Sequence, residues 1–352
     1  MIPVFDGHND LLLRLWNDPG RREAIWRGEE GGGHLDLPRM RNGGFAGGMF
    51  AIYIPSSGGD PGLNLDAMMN NPPYDLPLPP MIPLAEAQPV ALAMAGHLLA
   101  LERIVPEAFS LCRTVSEIEA ARASGRIAGV MHMEGAEAID PCGDALHVFH
   151  AMGLRSIGPV WSRPTVFGHG VPFRYPGAPD TGPGLTEAGK RLVAMCNQLK
   201  ILVDLSHLNL RGMEEVAKIS DAPLVATHSN AHAVTPSTRN LTDSQLDMIR
   251  ESGGMVGLNF ATVFLRPDGR LDPATGWEPV LRHLDHLIGR LGEDHVGLGS
   301  DFDGATVPDV IGDVAGVQGV LEAMRAHGFG DAVVKKVAWQ NWMAVLRKTW
   351  GA

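Results

Sequence analysis

At 352 residues with 45% apolar and only 20% charged side chains, the chain has ample material for a large core and lacks the charge density of a disordered protein. A net charge of −11 excludes nucleic acid or an anionic membrane surface as the main partner, since both demand clustered Lys and Arg. Cys112, Cys142 and Cys196 are widely spaced and odd in number, so they give no disulfide framework or CxxC metal site and point to a reducing, cytoplasmic setting.

In chain order, short apolar runs that read as buried strands alternate with longer amphipathic stretches that read as helices. The first run, "IPVFDGH", leads directly into "ND", placing Asp6, His8 and Asp10 almost at the start, where a secretory leader would need an apolar stretch and a cleavage site. The second, "GFAGGMFAIYI", opens into a Pro-rich stretch, Ile54 to Pro83, that reads as a long loop covering a site or meeting a second copy of the chain in a homodimer. A helix from Leu84 to Val105 follows, then "RIAGVMHME" ending on Glu134, a helix from Pro141 to Met152, and "LRSIGPV" with Trp161 and His169 beyond it. Next come a helix from Thr186 to Leu199, "ILVDLSH" ending on His207, a helix from Asn209 to Ile219, and "PLVATHS" carrying His228. Helices from Asp243 to Ser252 and Glu278 to Leu291 flank "GGMVGLNF", and "HVGLGSD" brings Asp301 before two closing helices. No run approaches the ~18 uninterrupted apolar residues of a spanning helix, so a soluble protein without a membrane segment is expected.

Eight such strands, most followed by a helix, predict an α/β fold of the (β/α)8 TIM barrel type, forming a single domain over residues 1–352 with extra C-terminal helices. A doubly wound open sheet would want a glycine-rich phosphate loop after the first strand, and "DGHNDLL" is not one.

The ionisable residues fall at one end of these runs. His8, Asp10, Glu134, His207, His228 and Asp301 all end or follow a strand, and in a barrel the carboxyl ends converge on one face. Three histidines with carboxylates and no thiolate form a donor set suited to zinc. Alternation along an extended segment turns His8 and Asp10 to the same side, and the two oxygens of Glu134 can bridge a pair of ions. A paired-metal site acidifies water and polarises a carbonyl together, so hydrolysis is the natural reaction. Asp204 is expected to orient a histidine, Asp6 to sit beneath the site, and His132 to fill the barrel interior, while His147, His150, His283, His286 and His295 are read as structural or surface residues.

"DGHND", "HMEGAEAI", "DLSH", "THSNAHAVTPSTRNLTD" and "VGLGSDFDG", in this order and nearly end to end, resemble the membrane (renal) dipeptidase family of metallopeptidases among the amidohydrolase-like barrels. The resemblance implies two Zn2+ ions per chain, one on His8 and Asp10, the other on His207 and His228, with Glu134 between them. It further implies Asp301 as the catalytic acid/base and Arg239 as the residue holding the carboxylate of a dipeptide substrate, possible substrates including dipeptides with a C-terminal D-residue. The chain departs from the family at Trp161, which stands where many members carry a substrate-contacting histidine; either His169 reaches in from the loop or Trp161 serves as a pocket wall. The rival activity, another amidohydrolase acting on N-acyl amino acids, lactones or cyclic amides, often uses a carbamylated lysine bridge, and the one lysine near a strand, Lys200, lies on the wrong side.

Overall fold

The computed structural model describes residues 1–56 and 64–351. Within them lie β1 (Val4–Asn9), β2 (Phe45–Tyr53), β3 (Tyr74–Asp75), β4 (Phe109–Leu111), β5 (Ile127–Glu134), β6 (Leu154–Ile157), β7 (Arg174–Tyr175), β8 (Leu202–Val203), β9 (Val225–Ser229), β10 (Met255–Leu258) and β11 (Val296–Leu298). The main sheet runs β8-β6-β5-β2-β1-β11-β10-β9, with every pairing parallel. Its two ends meet through a parallel bridge between Asp204 and Val225, where the amide of Leu205 donates to the Val225 carbonyl at 3.0 Å. The architecture is therefore the TIM barrel expected from the strand count.

Strands buried on both faces read as continuous apolar runs, which is why all eight were legible. Every residue of β1 and β5 is buried. At Gly7 a Cβ would lie 2.3 Å from the Trp342 ring and 2.5 Å from the Thr227 carbonyl, so only glycine lets the C-terminal helix Asn341–Trp350 close this end of the barrel. Four of the helices that follow strands begin on side-chain caps: Thr114 and Thr242 in capping boxes, Thr186 and Asn209 accepting from the N3 amide.

Three features differ from the sequence reading. β4 was not anticipated; it is too short to show a pattern and pairs with the amino-terminal half of β5, leaving the rest of that edge to β6. The stretch from Ile54 to Pro83 was read as irregular, but beyond residues 57–63, which lie outside the described residues, it forms the helix Leu65–Met69 and then β3. β3 pairs antiparallel with β7, so the loops after the second and fourth barrel strands are stitched together above the mouth. Finally, Leu84–Ile104 is a helix long and apolar enough to cross a membrane, with 21 residues and a mean hydropathy of 1.3 over an 18-residue window. Here it is an outer-ring helix whose Ala87, Ala91, Met94, Leu98 and Leu101 enter the core.

Candidate active site

The carboxyl ends of β1, β5, β9 and β11, together with the continuation of β8, bring six side chains into one buried cluster. His8 Nε2 lies 3.2 Å from Asp10 Oδ2 and 3.8 Å from Glu134 Oε2. Across the same carboxylate, Glu134 Oε1 lies 2.8 Å from His207 Nε2 and 3.3 Å from His228 Nε2, and the two imidazole nitrogens are 3.1 Å apart. Two donor triplets result, His8–Asp10–Glu134 and Glu134–His207–His228, sharing Glu134, while His8, His228 and Asp301 form a third.

Hydrogen bonds behind the cluster fix its chemistry. Thr227 Oγ1 donates to Asp204 Oδ2 at 2.7 Å, so towards His228 Nδ1, 2.9 Å away, it has only lone pairs to offer. The ring proton of His228 is thereby placed on Nδ1, and Nε2 turns its lone pair into the cluster. Asp204 Oδ1 also accepts from the amides of Ser206 and Thr227 and from the Ser206 hydroxyl. Its place is thus behind the site. Ser162 Oγ meets His207 Nδ1 at 2.9 Å. Asp6 accepts from the Ser300 amide at 2.7 Å and the Ser300 hydroxyl at 2.8 Å, tying β1 to the segment after β11 beneath the cluster. His132 sits 5.4 Å ring to ring from His8 and bonds Ser156, also beneath.

Asp301 adopts a left-handed backbone (φ 62°), a conformation that Asp tolerates better than most side chains, as the chain turns sharply after β11. The turn runs back over the cluster at Gly304, where a Cβ would lie 2.2 Å from Asp10 Oδ2 and 2.8 Å from Asp301 Oδ1. Asn259 Nδ2 donates to Asp301 Oδ2 at 2.8 Å, which leaves Oδ1 outside this bond.

Burial and crowding set the electrostatics. Burial raises the proton affinity of Glu134 and Asp301, the charge of Asp10 adds to it, and His8 offsets part of the effect. For His8, burial opposes the charged form, but Glu134 and Asp10 outweigh it and lift its pKa to about 10. His207 and His228 are held neutral by burial, reinforced by Arg239 and His8. Packed carboxylates whose negative charge calls for a cation, beside imidazoles with inward lone pairs, match the donor chemistry of divalent metal ions.

Above the cluster opens a cavity of about 370 Å³. Asp10, Glu134, His207 and Asp301 form its floor, and Asp66 and Asp303 bring its carboxylates to five, with no Lys or Arg among the described residues lining it. One wall is apolar, built from Met69, Phe173, Phe264, Leu271 and Ala305. Trp161 lines the cavity, in edge contact with Tyr53 (ring centroids 5.1 Å apart) and Phe173 (5.6 Å).

His169 and Arg239 lie elsewhere than expected. His169 is not part of the lining: its Nδ1 donates to the Gly184 carbonyl at 3.3 Å, and an antiparallel bridge from Gly170 to Leu208 anchors its backbone. Arg239 is buried one layer back, donating through its terminal nitrogens to the carbonyls of Ser206 and His228, with its Cζ 5.3 Å from the Phe264 ring. The free two-pronged fork is therefore absent here, and Nε is the donor left without a partner. Asn259, Thr227, Ser162 and Tyr53 were missed. Asn259 and Tyr53 obey the same strand-end rule, which extends to amides and phenols.

A family model described as Membrane dipeptidase (Peptidase family M19) matches residues 1–350. A metallopeptidase from Rhodobacter sphaeroides, solved with a phosphinate mimic of the dipeptide L-Ala-D-Ala, is similar at 66% identity and a TM-score of 0.97, covering 99% of each chain. The metallopeptidase dipeptidase AC has the same identity and TM-score, with 100% of this chain and 99% of that one covered. An uncharacterized protein from the pqqA 5′ region of Klebsiella pneumoniae is 50% identical over 240 residues, 68% of this chain and 89% of its own. Together with a barrel whose strand ends gather two ligand triplets about one glutamate, these matches show that the chain belongs to the membrane dipeptidase family of metallopeptidases.

Proposed function

We propose that this metallo-dipeptidase works with two zinc ions, one held by His8, Asp10 and Glu134 and the other by Glu134, His207 and His228. The observation that carries this reading is the sharing of Glu134 between the two triplets, one oxygen facing each. When bound, such ions supply an acidified water and a polarised substrate carbonyl. The residues do the rest. Asp301, with Oδ2 tied to Asn259 and its proton affinity raised by burial, accepts the proton of the attacking water and delivers it to the leaving amine. Arg239, one layer behind the cavity, attracts the substrate carboxylate through its charge alone, and Trp161 and the apolar wall enclose the side chains.

Because the Rhodobacter sphaeroides relative is liganded with a mimic of L-Ala-D-Ala, we extend acceptance of a C-terminal D-residue to this chain. The test is a panel of L,L- and L,D-dipeptides assayed with zinc, with and without chelator, beside elemental analysis of the protein. Expected are two zinc ions per chain and chelator-sensitive hydrolysis of both stereochemical classes. Activity on N-acyl amino acids or lactones with none on free dipeptides would overturn the reading.

A further inference from the structure

Charge develops on the substrate's carbonyl oxygen as water attacks, and a catalytic site meets that charge with hydrogen-bond donors aimed at it. The floor of this cavity is rich in acceptors, and its described lining holds no Lys or Arg. Its side-chain donors outside the ligand cluster are the Tyr53 hydroxyl, the Trp161 indole N–H and the Thr306 hydroxyl. Only Tyr53 is fixed to the cluster by strand pairing: it is the last residue of β2, and its Cα is the register partner of Glu134 on β5. Directly paired residues of neighbouring strands point to the same face, so the Tyr53 ring rises beside the Glu134 carboxylate. A phenol reaches further than a carboxylate, which carries its O–H above Glu134 into the cavity it lines.

The ring is also held stiffly. Trp161 meets it edge-on, and the Arg163 guanidinium lies 5.6 Å from its centroid. Arg163 is itself fully buried, with Nε donating to Glu137 Oε1 at 2.6 Å and its terminal nitrogens to the Ser56 hydroxyl and the Ile54 carbonyl. The Tyr53 hydroxyl makes no hydrogen bond to another described residue. Burial pushes its ionisation well above the ordinary phenol range, partly offset by Arg163, so it remains a donor at working pH.

We propose that Tyr53 is a catalytic residue, its hydroxyl donating a hydrogen bond to the scissile carbonyl oxygen as negative charge builds there. This assignment rests on the dipeptidase reading. It also gives a donor to a site from which His169 is turned away.

The test compares Tyr53→Phe with the wild type, both zinc-loaded, on L-Ala-D-Ala, and measures inhibition of each by a phosphinate dipeptide mimic, whose tetrahedral oxygens imitate the charged state. Expected are an unchanged zinc content, a fall in kcat of about 10²- to 10³-fold with KM within about threefold, and a matching weakening of phosphinate binding. A kcat within about threefold of wild type, a loss carried wholly by KM with phosphinate binding unchanged, or loss of zinc would each overturn the assignment. A wild type inert towards every dipeptide would overturn the dipeptidase reading and this assignment with it, whereas an active wild type with an equally active variant overturns the assignment alone.

Discussion

The floor and the wall of the cavity are built on different principles. Residues of the cluster that forms the floor sit at or just beyond strand ends, where register places them, and several are hydrogen-bonded from behind: His228 with Thr227, His207 with Ser162, Asp301 with Asn259. The apolar wall gathers Met69, Phe173, Phe264, Leu271 and Ala305 from short helices and loops into a small cluster separate from the main core. Under the proposed function, reaction chemistry rests on parts that the barrel's hydrogen bonding fixes, and selectivity on connecting segments that can change without disturbing it.

If that division holds, damage to the floor abolishes turnover whatever the substrate, and damage to the wall re-ranks substrates. The largest effect is expected from Glu134→Gln, which removes the carboxylate common to both triplets. Zinc content should fall below two per chain and turnover by more than about 10³-fold, read by elemental analysis and dipeptide hydrolysis. Asp301→Asn should keep both ions yet lose on the order of 10² or more in kcat, since it spares the two triplets that hold them. Thr227→Val keeps shape but frees the His228 tautomer, and zinc affinity measured against a competing chelator should weaken about 10- to 100-fold.

The wall responds more weakly. Leu271→Ala should leave zinc content unchanged while lowering kcat/KM for dipeptides with bulky apolar side chains by about 10-fold relative to Ala-Ala substrates. An equal loss on all substrates would break the comparison. Last comes a change in stability alone. His283 accepts from the Ala231 amide on Nδ1 and donates to the Leu265 carbonyl from Nε2, so it must stay neutral, and burial holds its pKa down to about 3. Its contribution is complete above its unfolded pKa near 6.5 and is lost as pH falls towards about 3, by up to about 1.4 kcal/mol per pH unit, which urea titrations across that range would read.

The same division explains what the sequence made legible. Strands buried on both faces announce themselves as apolar runs, and although a single ionisable residue ending such a run is more often structural, His8, Glu134, His207 and Asp301 stood out because they fall together at the same ends. β8 is reduced to two residues plus the Asp204 bridge, yet "ILVDLSH" still showed it, because burial rather than ladder length shapes the pattern. The wall was invisible: nothing in "PFRYPG" says that Phe173 meets Phe264, since that contact depends on β3 finding β7 across about a hundred residues of chain. The position of Arg239 was hidden for another reason. A motif can identify an arginine, but which carbonyls it bonds is a property of packing.

Asp204 has one further consequence. The residue that joins the two ends of the sheet to make a ring is also the one that, through Thr227, decides which nitrogen of His228 is free. Closure of the barrel and readiness of the ligand are therefore one event. Were an ion held by His207 and His228 as proposed, it would act as a rivet across the seam, and opening the seam would release it, so metal loading and resistance to unfolding would rise and fall together.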